Sequence, residues 1–271
     1  MSFKGLVLVD SHCHLDFPGL AEEREAVLAR ARDAGVGVIQ TIGTRLSTFA
    51  EVAAIAESCD GVYCSVGVHP HRAAKEPLED PAQLLACAEH PKVVGIGESG
   101  LDYYYDHSPR DVQTAVFRQH IEAARASGLP LIVHTRDADR DTADLLRAAM
   151  AEAPFTGVVH CYSSSAEFGF AAIEMGLYLG IGGIFTFKKS EQLRATVREL
   201  PVERLLLETD APYLAPEPFR GRRNEPAYVV HVATTLAEVI GVTPAEIASA
   251  TTDNFFRLFT KAQRPAAGPC G

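Results

Sequence analysis

Eight short apolar segments recur along this chain, and each is separated from the next by one amphipathic stretch of helical character. The segments are LVLVDSHC, VGVIQTIGT, VYCSVGVHP, VVGIGESGLD, LPLIVHTR, TGVVHCYS, LYLGIGGIF and LLLETDAP. Runs this short and this rich in Val, Ile and Leu read as strands buried on both faces. Parallel strands cannot be joined by a tight turn, so each intervening helix is a crossover, and such crossovers are right-handed. Eight strand–helix repeats therefore predict a closed (β/α)₈ barrel. The rival, an open doubly wound sheet, would in its dinucleotide-binding form carry a glycine-rich phosphate turn after the first strand, and none is present.

The connecting helices are expected near Glu22 to Gly35, Leu46 to Ser58, Pro77 to Glu89, Ser108 to Ser127, Asp139 to Ala151, Ser165 to Met175 and Lys189 to Glu199. A long ordered loop, APEPFRGRRNEP, follows the eighth strand, with further helices near Pro226 to Ile240 and Pro244 to Thr260. We expect one domain over residues 1–264 and a flexible tail, PAAGPCG, over 265–271.

Charge limits the partners. The chain has 25 basic and 35 acidic side chains, net −10, so it lacks the Lys and Arg needed for a wide grip on duplex nucleic acid. A nucleic acid engaged at one metal-lined point remains compatible with that balance. The six cysteines contain no Cys-x-x-Cys pair and read as reduced thiols. No signal peptide or membrane span is recognisable, which makes the cytoplasm the expected location; the sequence leaves the oligomeric state open, a monomer included.

In a barrel of this kind the active site lies at the C-terminal ends of the strands. Side chains alternate along a strand, so His12 and His14 face one way and Cys13 the other. By the same parity Glu98 follows Val94 and Ile96, His134 follows Ile132, His160 follows Val158, and Asp210 follows Leu206 and Glu208. A lone strand-end histidine more often bonds a carbonyl, and a lone aspartate more often caps a helix. Six such groups at one level need a shared partner, because buried carboxylates and imidazoles are costly alone. That partner is a metal, and six donors exceed one tetrahedral zinc, so two divalent ions sharing a carboxylate are expected. Zn, Mn and, less well, Mg suit mixed His and carboxylate donors.

The segments DSHCHLD, GVHPH, GESGLDYYYD, PLIVHTR, GVVHCYS, ETDAPYLAPEPFRGRRNEP and NFFRLF resemble the TatD family of metal-dependent hydrolases and deoxyribonucleases, in the wider amidohydrolase group. The resemblance runs from about Asp10 to Phe259. It implies that His12, His14 and Asp210 hold one ion, that His134 and His160 hold the other, and that Glu98 bridges them. It also implies that Asp210 accepts a proton from the attacking water. Ser99 and Ser164 depart from the family pattern without touching a ligand position.

The expected activity is hydrolysis of phosphodiester bonds in DNA, by a single-strand exonuclease acting at ends. Two divalent ions outweigh two carboxylates, making the pocket locally cationic in an acidic chain. His69 and His71 are the candidates for phosphate contact or proton transfer, with His69 also counted as catalytic. Arg220, Arg222 and Arg223 are the candidates for phosphate binding. Tyr103 to Tyr105 and Phe185 offer rings for stacking bases, and Glu208 is placed to orient a ligand. Two alternatives stand beside this reading. The same chemistry suits a small ester or amide, including an aminoacyl-tRNA ester, and a metal-binding interaction protein would need no catalysis.

Overall fold

A computed structural model describes residues 7–76, 78 and 80–265. Its strands are β1 (Leu8–Cys13), β2 (Val36–Thr41), β3 (Val62–Val66), β4 (Val93–Asp102), β5 (Leu131–Arg136), β6 (Gly157–Val159), β7 (Tyr178–Ile181) and β8 (Leu205–Leu207). All pair in parallel with their sequence neighbours, in the order β1 to β8. The helices are α1 (Arg24–Asp33), α2 (Phe49–Glu57), α3 (Ala82–Ala88), α4 (Arg110–Ser127), α5 (Asp139–Glu152), α6 (Ala166–Glu174), α7 (Glu191–Glu199), α8 (Val229–Ile240) and α9 (Pro244–Leu258). The expected (β/α)₈ barrel is the observed one. Helices α1 and α2 start later than expected because single 3₁₀ turns, Ala21–Glu23 and Leu46–Thr48, precede them. Leu6 and Pro77, expected to begin an element, and all of the expected tail except Pro265 lie outside the described residues.

The barrel closes between β1 and the chain just past β8, mostly by contacts other than a regular ladder. One bridge pairs Cys13 with Ala211. Asp210 N donates to His12 O at 2.8 Å and His14 N to Ala211 O at 2.8 Å. Ser11 Oγ donates to Leu207 O at 3.0 Å. The buried Asp10 carboxylate accepts from Thr209 N at 2.9 Å and Thr209 Oγ1 at 2.6 Å.

Every strand sends at least one side chain into the barrel interior or its immediate extension, among them Val9, Val38, Tyr63, Val94, Ile132, Val158, Tyr178 and Leu206. Phe255, Leu258 and Phe259 from α9 and its end join that cluster and seal the N-terminal end of the barrel, leaving the C-terminal end as the mouth. The larger apolar layer lies between strands and helices. Among the described residues no single helix is long and apolar enough to cross a membrane. Helices α8 and α9 pass that test only as a pair bent by 109°, and their apolar faces pack on the barrel.

Strict parity fails on β4, although its conclusion survives. Val94 is interior, but Ile96 belongs to the outer layer. Two register slips each insert one residue into β4, between Val93 and Gly95 against β3 and between Ile96 and Ser99 against β5. A single insertion sends all later side chains to the other face, and the second restores them. Glu98 therefore reaches the inner mouth.

Phe259 is fully buried where α9 meets the strands. We expect Phe259→Ala to cost about 3–5 kcal/mol, read as a fall in the urea midpoint at unchanged slope. A loss below about 1 kcal/mol would mean that the ring does not seal the barrel.

Candidate metal centre

All six expected ligands meet at the mouth, centred on Glu98. Its Oε1 lies 2.8 Å from His134 Nδ1 and 2.8 Å from His160 Nε2, and its Oε2 lies 3.4 Å from His12 Nε2. Asp210 Oδ1 lies 3.4 Å from His14 Nε2 and 3.8 Å from His12 Nε2. The His12 and His160 rings stack with centroids 3.9 Å apart. Three overlapping triads result: His12, His14, Asp210; His12, Glu98, His160; and His69, Glu98, His134.

His69, which the sequence reading kept outside the ligand set, has its Nε2 3.4 Å from Glu98 Oε1. Two glycines make that approach possible. Gly67 passes so close to the backbone of Gly97 that a Cβ on Gly67 would overlap it. The loop is also braced by the buried His120 of α4, whose Nε2 accepts from Val68 N at 2.9 Å while Nδ1 faces Val116 O at 2.8 Å.

The donor set fits a cation. Both nitrogens of His12, and Nδ1 of His14 and of His160, are buried without hydrogen-bond partners. Two ligands that each stand about 2.1 Å from one tetrahedral ion are about 3.4 Å apart, and 3.4 Å is the separation of the His12–Glu98, His14–Asp210 and His69–Glu98 pairs. Burial would raise the Glu98 carboxyl, but His160, His69, His12 and His134 outweigh it and hold it well below its ordinary range. Burial likewise opposes ionisation of Asp210, while His14, His160 and His12 keep it low. Burial lowers His69 to about 4, so its imidazole is neutral at pH 7 with a lone pair to offer.

Asp102, which strand parity did not single out, is the missed residue of the site. It ends β4 four residues after Glu98, is buried, and has its Oδ2 2.7 Å from His71 Nε2 and 3.1 Å from His134 Nε2. Its Oδ1 accepts from Tyr104 N and Tyr105 N, and Gln113 Oε1 holds its own amide at 2.8 Å. Burial opposes its charge, but His134, His71 and these amides keep it strongly ionised. A carboxylate on Nε2 of His134 turns Nδ1 toward Glu98 and His160, where a cation would replace the Nδ1 proton. The signal was available in GESGLD, whose aspartate shares parity with Glu98. Glu208, expected to orient a ligand, lies beside His160 without hydrogen-bonding it. Its Oε1 accepts from Cys161 N at 2.6 Å and lies 3.6 Å from His160 Nδ1, and Gly180 leaves the space its carboxylate fills.

The other expected contacts fare unevenly. His71 belongs to the mouth through Asp102. Arg223 is turned away: its guanidinium donates to Gly19 O and, at 3.0 Å, to Glu23, which makes it a brace for the loop after β1. Arg220 lies 4.0 Å over the Phe187 ring and Arg222 lies 5.9 Å from Phe219. None of the three bonds to the histidine cluster. Phe185 is 1% exposed and packed in the core, so it cannot stack a base. Tyr103 is occupied by Asp141 at its hydroxyl and Arg110 over its ring. Tyr104 and Tyr105 are exposed.

The comparisons agree with this geometry. The family model described as TatD related DNase matches residues 9–260. An uncharacterized metal-dependent hydrolase of Bacillus subtilis, YabD, is 42% identical and is aligned over 93% of this chain and 99% of its own length. Another, YcfH of Escherichia coli K12, is 41% identical over 94% of this chain and 96% of its own. The crystal structure of a TatD homologue from Escherichia coli K12, YjjV, superposes with a TM-score of 0.87 at 32% identity, over 93% of this chain and 98% of that one.

We expect Asp102→Asn to weaken binding of zinc or manganese to the metal-free protein by about 10- to 100-fold, measured by competition with a chromophoric chelator. Wild-type affinity in the variant would remove Asp102 from the site. His120 supplies a second expectation. Burial lowers it to about 4, below the ordinary 6.5 of the unfolded chain, so unfolding takes up a proton between those values and stability falls as pH drops through that window. Acidification from pH 7 to 4.5 should therefore cost the wild type roughly 2–3 kcal/mol more than His120→Gln, by urea unfolding at the two pH values. Equal losses would show that His120 is not held neutral.

Proposed function

The chain belongs to the TatD family of metal-dependent hydrolases, and from that premise we propose that it hydrolyses phosphodiester bonds of DNA, removing nucleotides from single-stranded ends. The observation that carries the reading is the set of buried, unpartnered imidazoles around Glu98, spaced as ligands of a common ion. In this reading His12, His14 and Asp210 hold one divalent ion, His134 and His160 hold a second, and Glu98 stands between them with His69 beside it. The ions, zinc, manganese or magnesium, supply Lewis acidity and water activated near neutral pH.

The protein's own residues do the rest. Asp210, ionised and 13% exposed at its side chain, receives the proton of the attacking water. His71, steadied by Asp102 and 25% exposed, faces the mouth where the leaving oxygen departs and supplies a proton there. Tyr104 is exposed with Arg136 4.2 Å over one face of its ring, and its other face is offered to an unpaired base. The ligands are buried, so a strand must bend inward to reach them, and a single-stranded end does so at the cost of unstacking a base or two. Five cysteines, Cys13, Cys59, Cys64, Cys87 and Cys161, are free thiols, in keeping with a reducing compartment and a cytoplasmic location.

The test is digestion of an end-labelled linear single strand and of a circle of the same sequence, with added divalent metal, with chelator, and beside a panel of esters that includes an aminoacyl ester. We expect a ladder from the linear strand, an intact circle, and no products after chelation. A circle cut as fast as the linear strand would overturn end-directed action. Ester turnover with the DNA untouched would move the chemistry to carbonyl carbon.

A further inference from the structure

The loops that follow β7 and β8 carry most of the expected arginine cluster, and the structure joins them to cations the sequence reading did not use. Lys188 and Lys189 lie between β7 and α7, and both are exposed, as are Arg220 and Arg222. The two loops are tied together: Glu217 N donates to Thr186 Oγ1 at 2.9 Å, and Arg220 lies 4.0 Å over the Phe187 ring. Arg194 of α7 holds the lysine-bearing backbone from beneath, donating to Phe185 O at 3.0 Å, Phe187 O at 2.7 Å and Lys188 O at 3.3 Å. The lysines therefore project from a fixed loop.

Local charge composition singles this surface out. Over residues 185–190 and 212–222 four cations face one carboxylate, Glu217. Among the described residues none of the four forms an ion pair, whereas their neighbour Arg223 is paired with Glu23 at 3.0 Å. In a chain of net −10, four unpaired cations on two adjoining loops form a local field that an anion would complete. The loops leave the barrel at the C-terminal ends of β7 and β8, and the second begins beside the ligand Asp210, whose carbonyl accepts from Tyr213 N at 2.9 Å.

We propose that Lys188, Lys189, Arg220 and Arg222 form a track that holds the phosphates of a single DNA strand outside the metal centre, while its terminal nucleotide occupies the mouth. The proposal rests on the phosphodiesterase reading for its partner. A track of this size contacts few phosphates, so longer strands are captured better than dinucleotides without the steep salt response of a basic groove. Phe187, under Arg220, adds an apolar floor between the charges.

The test uses the metal-loaded full chain as three double variants: Lys188→Gln with Lys189→Gln, Arg220→Gln with Arg222→Gln, and, as control, Arg32→Gln with Arg118→Gln on the helical flank. Each removes the same charge. Binding of a nuclease-resistant phosphorothioate 12-mer is followed by fluorescence anisotropy across a salt series, and kcat/KM is measured for oligothymidylates of increasing length and for bis(p-nitrophenyl) phosphate. We expect both track variants to lose about tenfold in capture of the 12-mer and to flatten the salt slope by about 1.4, for two phosphate contacts of about 0.7 each. The control variant should keep wild-type capture and turnover, and both track variants should lose more on the 12-mer and the longer oligothymidylates than on the small diester. Wild-type affinity and slope in the lysine variant, or an equal loss in the control, would overturn the track. The two readings fail separately. A wild type that leaves both the oligothymidylates and the small diester intact removes the phosphodiesterase reading, while a slope still flattened by the lysine variant upholds the track.

Discussion

Asp10 is fully buried, and burial pushes its carboxyl up to about 8 against the Thr209 hydroxyl and amide and the His12 amide that favour its charge. It sits where the barrel must close, and the rest of the site depends on that closure. Strands β1 and β8 would otherwise be exposed edges, with β8 only three residues long. Thr209 completes the seam by donating to Asp10 and accepting from Ala211 N. Asn224, buried in the long loop, adds bonds to Thr209 O at 2.8 Å and Tyr213 O at 2.7 Å. The seam sets Asp210 beside His12 and His14, so one polar junction both closes the barrel and assembles one ligand triad.

The second ligand group depends on a different device. Glu98 reaches the mouth because two one-residue slips on β4 cancel, and His69 reaches Glu98 because Gly67 and Gly97 let two backbones touch. Behind these candidate ligands stand further buried residues: Asp102 behind His134, Glu208 behind His160, His120 behind the loop of His69. Such outer contacts fix ring orientation, and the inward nitrogens of His134 and His160 gather on Glu98 Oε1 at 2.8 Å. The unpartnered nitrogens of His12 are the counterpart of that arrangement, because a buried imidazole with no hydrogen bond is costly unless a cation completes it.

Charge is distributed to match. Overall the chain is acidic, and some of its exposed arginines on the helical flank are paired, as Arg110 is with Asp106 at 3.3 Å. The donors at the mouth are instead mostly imidazoles, and the loops beyond β7 and β8 set four cations against one carboxylate. A net charge of −10 thus describes the outside of the barrel better than its mouth.

Much of this was legible in the sequence because it depends on local rules. Eight apolar runs alternating with helices determine a parallel barrel through crossover handedness, and the C-terminal strand ends then locate the mouth. Side-chain parity placed His134 without any knowledge of the fold, since β5 is regular through that residue, whereas His160 and Asp210 lie past the ends of β6 and β8, Asp210 at φ 58°, where strand alternation no longer applies. It reached Glu98 for an incomplete reason, because register slips depend on how neighbouring strands meet and leave no periodic trace. Asp102 went unread although it shares Glu98's parity, since only the positions of His71 and His134 on other elements give it a purpose. Arg223 was assigned to phosphate by its place after the eighth strand, yet Glu23 and Gly19, some 200 residues away in sequence, claim its guanidinium. The sequence by itself determined the barrel and the chemical identity of the six donors. Tertiary structure alone decided which nitrogens stay unpartnered and which cations stay unpaired, because both depend on neighbours that meet only when the barrel closes.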